Sequence, residues 1–314
     1  MMFLGRQTTL ADRVVVKGRG VHSNAPASLI INPAPANTGI VFQRVEAGSQ
    51  DKMIEANWRN VSMTELCTVV GAGEASVATI EHLLAALSGL GVDNAIIEID
   101  GPETPIMDGS AHAFVEAIDQ AGLISQQARR RYVRVLKTVR VESGRAFSEL
   151  RPAREGFKLE VEIDFPTALI GRQKFDMVLE PGRFRREISR ARTFGFVSQV
   201  EELWKRGFAL GSSLENSVAL DNDRILNPEG LRYSDEFVRH KMLDAVGDLS
   251  LAGAPLVGVY ASYCAGHRMN HNVLKALFAD PTAYEIVEGA PARGAARQAI
   301  TLVGAHAAFA PERR

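Results

Sequence analysis

Cysteine is almost missing from this chain: 314 residues include only Cys67 and Cys264. Two thiols cannot build a disulfide framework, and their scarcity fits a reducing compartment. No stretch approaches the ~18 to 20 consecutive apolar residues that cross a bilayer. The first ten residues lack the apolar core of a secretory signal. Net charge is also missing, since 36 basic and 37 acidic side chains leave -1. No global basic field points to nucleic acid, and clusters such as Arg129-Arg130-Arg131 read as solvated surface. The pattern His-Glu-x-x-His is absent, which removes the most familiar zinc-peptidase signature. The expectation is a soluble, cytoplasmic monomer that touches a membrane peripherally at most.

The composition is that of an ordinary globular protein, and the length suffices for two domains. Short strands are predicted at residues 14–18, 28–32, 39–42 and 67–71. A helix follows, with Ser76 as N-cap and Ile80, Leu83, Leu84, Leu87 and Leu90 at helical spacing. Gly89 and Gly91 stop it. A strand at 94–99, a turn-rich loop at 100–109 and a helix through Phe114, Val115, Ile118 and Ala121 complete this half, with Gly122 as the stop. The pattern restarts with strands at 132–135, 139–142 and 158–165. Residues 187–230 read as an insertion with a helix at 197–206. A helix at 236–248, a strand at 256–263 and a helix at 272–278 come next.

Both halves therefore run strands, helix, strand, helix. This predicts an α+β fold of two similar domains from an internal duplication, at 1–127 and 128–280, with sheets outside and helices inside. The tail, 281–314, has no assigned role.

The helix at 236–248 carries His240, Asp244 and Asp248 at i, i+4 and i+8, on one face and among apolar neighbours. An imidazole and carboxylates in such a stripe suit a metal, because both are good zinc ligands. Glu81-His82 and Arg239-His240 open equivalent helices, so His82 is the third candidate ligand. Glu81, beside it, can serve as base. His267 follows Gly266 at a strand end, and Asp248 can hold its imidazole. Thr193 is a candidate oxyanion donor.

The chain resembles the zinc-dependent UDP-3-O-acyl-N-acetylglucosamine deacetylases of Gram-negative bacteria. The matching segments are Thr79-Ile80-Glu81-His82-Leu83, Leu90-Gly91-Val92-Asp93-Asn94, Pro105-Ile106-Met107-Asp108-Gly109-Ser110, Ser189-Arg190-Ala191-Arg192-Thr193-Phe194-Gly195-Phe196, residues 236–245 and Gly266-His267. They span roughly residues 5–280 in order. The resemblance implies removal of the N-acetyl group of UDP-3-O-(3-hydroxyacyl)-N-acetylglucosamine, the committed step of lipid A synthesis. It implies one zinc ion on His82, His240 and Asp244, although two histidines and a carboxylate also suit iron(II). By the same resemblance Glu81 is the general base, His267 the general acid supported by Asp248, Lys241 a substrate contact and Thr193 an oxyanion donor. The metal would lie between the two domains. The insertion would build the acyl passage from Phe194, Val197, Val200, Ala209, Leu214 and Ala219. Phe165 would stack on uracil, and Arg145 would meet phosphate. A zinc peptidase or a non-catalytic sugar-nucleotide binder are the alternatives.

Overall fold

A computed structural model describes residues 5–45, 52–222 and 224–289. Five strands form the first sheet, in the order Val14–Arg19, Pro26–Pro33, Ala95–Ile99, Ile40–Arg44, Lys52–Glu55. Its neighbours are antiparallel except for the pair Ala95–Ile99 and Ile40–Arg44. The second sheet repeats that plan with Val139–Ser143, Ala146–Arg151, Leu256–Tyr263, Phe157–Asp164 and Arg172–Val178. Among these five strands the parallel pair is again at the same place, Leu256–Tyr263 with Phe157–Asp164. Identical order and direction in two sheets is what the duplication predicts. Period-two burial explains the strands: Phe157, Leu159, Val161 and Ile163 point inward and the residues between them are half-exposed.

Among the described residues six α-helices accompany the sheets: α1 (Glu81–Leu90), α2 (His112–Ala121), α3 (Pro181–Glu187), α4 (Val197–Lys205), α5 (Glu236–Ser250) and α6 (His267–Ala279). Helix α1 packs against α2 and α5, and α5 packs against α6 and the second sheet. This leaves α1 and α5 at the centre, which is why both are buried almost all round and why α1 is so apolar. They touch backbone to backbone: a Cβ on Gly247 of α5 would sit 2.0 Å from the carbonyl oxygen of Glu81. Among the described residues no helix is long and apolar enough to cross a membrane.

Four details differ from the sequence reading. Ser76 does not cap α1; it lies in the strand Ala75–Val77, and the helix begins at Glu81 without a side-chain cap. Tertiary bonds instead fix the turn ahead of the helix. Thr79 takes a positive φ of 57°, its hydroxyl donates to Glu103 and its carbonyl accepts from Thr104. Gly89 lies within α1, and Gly91 closes it with φ 81°. Helix α6 starts at His267, earlier than residue 272, because the His267–Asp248 bond fixes its first turn. The stretch after Asp280 is not all tail: Tyr284–Glu288 pairs with Arg131–Val135, which joins the second sheet through Leu256–Tyr263. Residues 290–314 lie outside the described residues.

Between its last outer strand and its central helix each half carries a smaller sheet. The first half has Val61–Met63, Val69–Ala72 and Ala75–Val77. The second has Phe194–Phe196, Val218–Asp221 and Arg224–Ile225, next to α4.

Candidate active site and metal centre

The contact of α1 with α5 brings His82, His240 and Asp244 together. His82 Nε2 lies 3.6 Å and His240 Nε2 3.3 Å from Asp244 Oδ1. One ligand atom from each falls within 4.8 Å of the others, and all three residues are buried. Donors bound about 2.1 Å from one tetrahedral ion sit about 3.4 Å apart. Burial pushes the His240 imidazole down to about 3, so it is neutral. Its Nδ1 lies 3.1 Å from the Ala191 carbonyl, which accepts the Nδ1–H and leaves the Nε2 lone pair turned to the cluster. Burial raises the Asp244 carboxyl, but the adjacent His240 imidazole, Lys241 and the neighbouring His82 outweigh it and hold the group well below the usual range. Lys241 Nζ donates to Asp244 Oδ2 at 3.0 Å. Asp244 Oδ1 and His82 Nδ1 are buried without hydrogen-bond partners. An ionised, orphaned oxygen facing two imidazoles is costly unless a cation joins them. The donor set therefore fits a divalent metal.

A second group adjoins it. Glu81 Oε2 accepts the Thr68 N–H at 3.0 Å, and Oε1 lies 3.9 Å from His267 Nε2. His267 Nδ1 donates to Asp248 Oδ2 at 2.8 Å. Asp248 also accepts from Asn270 Nδ2 at 2.8 Å and from Thr68 Oγ1 at 2.6 Å. Burial lowers the His267 imidazole, but Asp248, Glu81 and Asp244 overcome it and raise it to about 10. Burial raises the Glu81 carboxyl, with His267 and His82 opposing. A buried cationic acid thus stands beside a carboxylate of raised pKa, an arrangement typical of acid–base sites.

Thr68 and Asn270 were not found from the sequence. Thr68 is a polar residue just ahead of the apolar strand Val69–Ala72, and only 1% exposed, so it had to be satisfied by something. Asn270 is one turn after His267 on α6, the spacing that lets both reach one carboxylate.

Thr193 is fixed by its backbone, donating to Gly109 O and accepting from Val218 N–H, each at 2.8 Å. The loop before it is braced by Arg192, 1% exposed, whose Nε donates to Glu236 Oε1 at 2.9 Å. Replacing Arg192 with Leu would leave Glu236 buried and uncompensated. The expected cost is about 3 to 5 kcal/mol, read as a lower urea midpoint at unchanged slope. An unchanged midpoint would show that the pair contributes nothing.

Two cavities adjoin at Cys264. One, about 220 Å³, is lined by Arg145, Phe165 and Lys241 among others. The other, about 410 Å³, is lined by His267 with Thr64, Leu66, Ser143 and Arg268 among others. Phe194 stands 5.7 Å from the Phe165 ring and 6.2 Å from the His240 ring. The remaining apolar candidates lie on the insertion. Val197 and Leu214 are exposed, Val200, Ala209 and Ala219 are half-buried, and α4 buries none of its residues. Arg145 is exposed and paired with Asp164 at 3.2 Å.

A family model described as UDP-3-O-acyl N-acetylglycosamine deacetylase matches residues 7–279. The UDP-3-O-acyl-N-acetylglucosamine deacetylases of Brucella ovis and Brucella abortus are each 52% identical over 283 residues, 90% of this chain and 98% of theirs. That of Brucella melitensis is 51% identical over the same shares.

Proposed function

The chain belongs to the UDP-3-O-acyl-N-acetylglucosamine deacetylase family and removes the N-acetyl group of that substrate, and from this premise we propose that it works with one zinc ion held by His82, His240 and Asp244. The products are acetate and UDP-3-O-(3-hydroxyacyl)-glucosamine, in the committed step of lipid A biosynthesis, carried out in the cytoplasm by a monomer. The ion, when bound, supplies Lewis-acid polarisation of the amide carbonyl and of the attacking water. Glu81 Oε1 takes the proton of that water, while the Thr68 N–H keeps Oε2 in place. His267 gives its Nε2 proton to the sugar nitrogen as the C–N bond breaks. Asp248 and Asn270 hold the imidazole in line. The Thr193 hydroxyl is offered to the developing oxyanion. Lys241 holds Asp244 Oδ2 and so keeps Oδ1 for the metal, and its ammonium lines the substrate cavity. Phe165 and Arg145 line the same cavity and are assigned to the uridine and phosphate. Phe194 and the insertion residues Val197, Val200, Ala209, Leu214 and Ala219 are assigned to the acyl chain.

One observation carries this reading: a charged acid and a carboxylate base 3.9 Å apart, beside three buried metal-type donors. A protein that only bound sugar nucleotides would need neither. The test offers the protein UDP-3-O-(3-hydroxymyristoyl)-N-acetylglucosamine and an N-acetylated peptide. Acetate should come from the first alone; release from the peptide alone would sink the substrate assignment.

The acid and the base also set a pH profile. Glu81 must be ionised, so kcat/KM falls as pH drops through its pKa, which lies above the ordinary 4.5. His267 must be protonated, so the rate falls again as pH rises through about 10. Asp248→Asn removes the charge that raises His267, and the basic limb is expected at lower pH. A basic limb that stays in place would mean that His267 is not the acid.

A further inference from the structure

We propose that Arg268 is a substrate-binding residue that grips the diphosphate of the nucleotide sugar, an inference that rests on the substrate reading above. Three Lys or Arg side chains line the two adjoining cavities: Arg145, Lys241 and Arg268. Arg145 is paired with Asp164, and Lys241 with Asp244. The Arg268 guanidinium makes neither an ion pair nor a hydrogen bond among the described residues. It is exposed, at the wall of the larger cavity, in the residue after the proton donor His267. Of the three, it is the cation with nothing to neutralise it.

Substrate chemistry supplies the matching anion. The acetamido group is carried on C2 of the sugar and the diphosphate on C1, so only C2, C1 and one oxygen separate the reacting nitrogen from the first phosphorus. An enzyme whose acid is His267 must therefore hold the phosphate close to His267. Arg268 shares a cavity with that acid, and its planar fork can meet two phosphate oxygens at once, which an ammonium cannot. The first-turn N–H groups of α6, which Gly266 caps without a side chain, add positive potential at the same spot.

Binding of UDP and of uridine to the wild-type protein, Arg268→Ala and Arg268→Lys, measured by calorimetry, tests this without turnover. Arg268→Ala should weaken UDP on the order of tenfold, the scale of a lost charge-assisted hydrogen bond, and leave uridine unchanged. Arg268→Lys should fall between. With the acylated substrate, KM should rise and kcat should hold within about twofold. Unchanged UDP affinity, or an equal loss for uridine, would overturn the role of Arg268 while leaving the substrate reading intact. A wild-type protein that binds no UDP would instead remove the substrate reading, and this inference with it.

Discussion

Glu81→Gln is expected to lower kcat about 100- to 10,000-fold at neutral pH, with metal content unchanged. Glutamine is close in shape to glutamate, and its amide oxygen can still accept the Thr68 N–H. What it lacks is a basic oxygen to take a proton from water. Glu81 is not one of the three residues that converge as metal-type donors, so the ion should stay. Acetate release gives kcat, and metal analysis of the purified variant gives occupancy. Turnover within about tenfold of wild type would mean that another group is the base. Loss of metal together with turnover would mean that Glu81 shapes the metal site instead.

The second large effect comes from a residue with no side chain. Gly247→Ala would put a methyl group 2.0 Å from the Glu81 carbonyl oxygen and 2.8 Å from its carbonyl carbon. Both atoms are backbone, so no rotamer change relieves the overlap. Helices α1 and α5 must separate, and they carry Glu81 and His82 on one side and His240, Asp244 and Asp248 on the other. Overpacking of this kind costs about 1 to 3 kcal/mol. The shift also pulls His82 away from His240 and Asp244, and a displacement of about 1 Å is enough to cost about 100-fold in rate. Gly247→Ala should therefore lower Tm by several degrees and kcat by about 100-fold. Normal activity with normal Tm would contradict the close contact of the two helices.

Neither Gly247 nor the bracing of the site could be read from the chain alone, whereas His240, Asp244 and Asp248 could. Helical periodicity puts those three on one face wherever the helix lies, so a local rule was enough. His82 needed one further step, the likeness of the two halves, and the matching strand orders of the two sheets agree with that step. Thr68, Asn270 and Gly247 act across long sequence separations: Thr68 meets Asp248 from the other half, and Gly247 meets Glu81. No spacing within one segment encodes such contacts. The same reason defeated Ser76 as a cap. A serine ahead of an apolar run has the local signature, but the turn into α1 is held by Thr79, Glu103 and Thr104. The strand Tyr284–Glu288 was missed because an edge strand with exposed Glu285 and Ile286 lacks clear alternation.

Acetate release from UDP-3-O-(3-hydroxymyristoyl)-N-acetylglucosamine, before and after one equivalent of zinc is added to metal-stripped protein, tests the central claim most directly. The expected result is negligible activity in the stripped protein and full activity at one equivalent, with His82→Ala failing to recover. Full activity in protein shown to be free of metal, or folded protein that binds zinc at these residues and still releases no acetate, would contradict it.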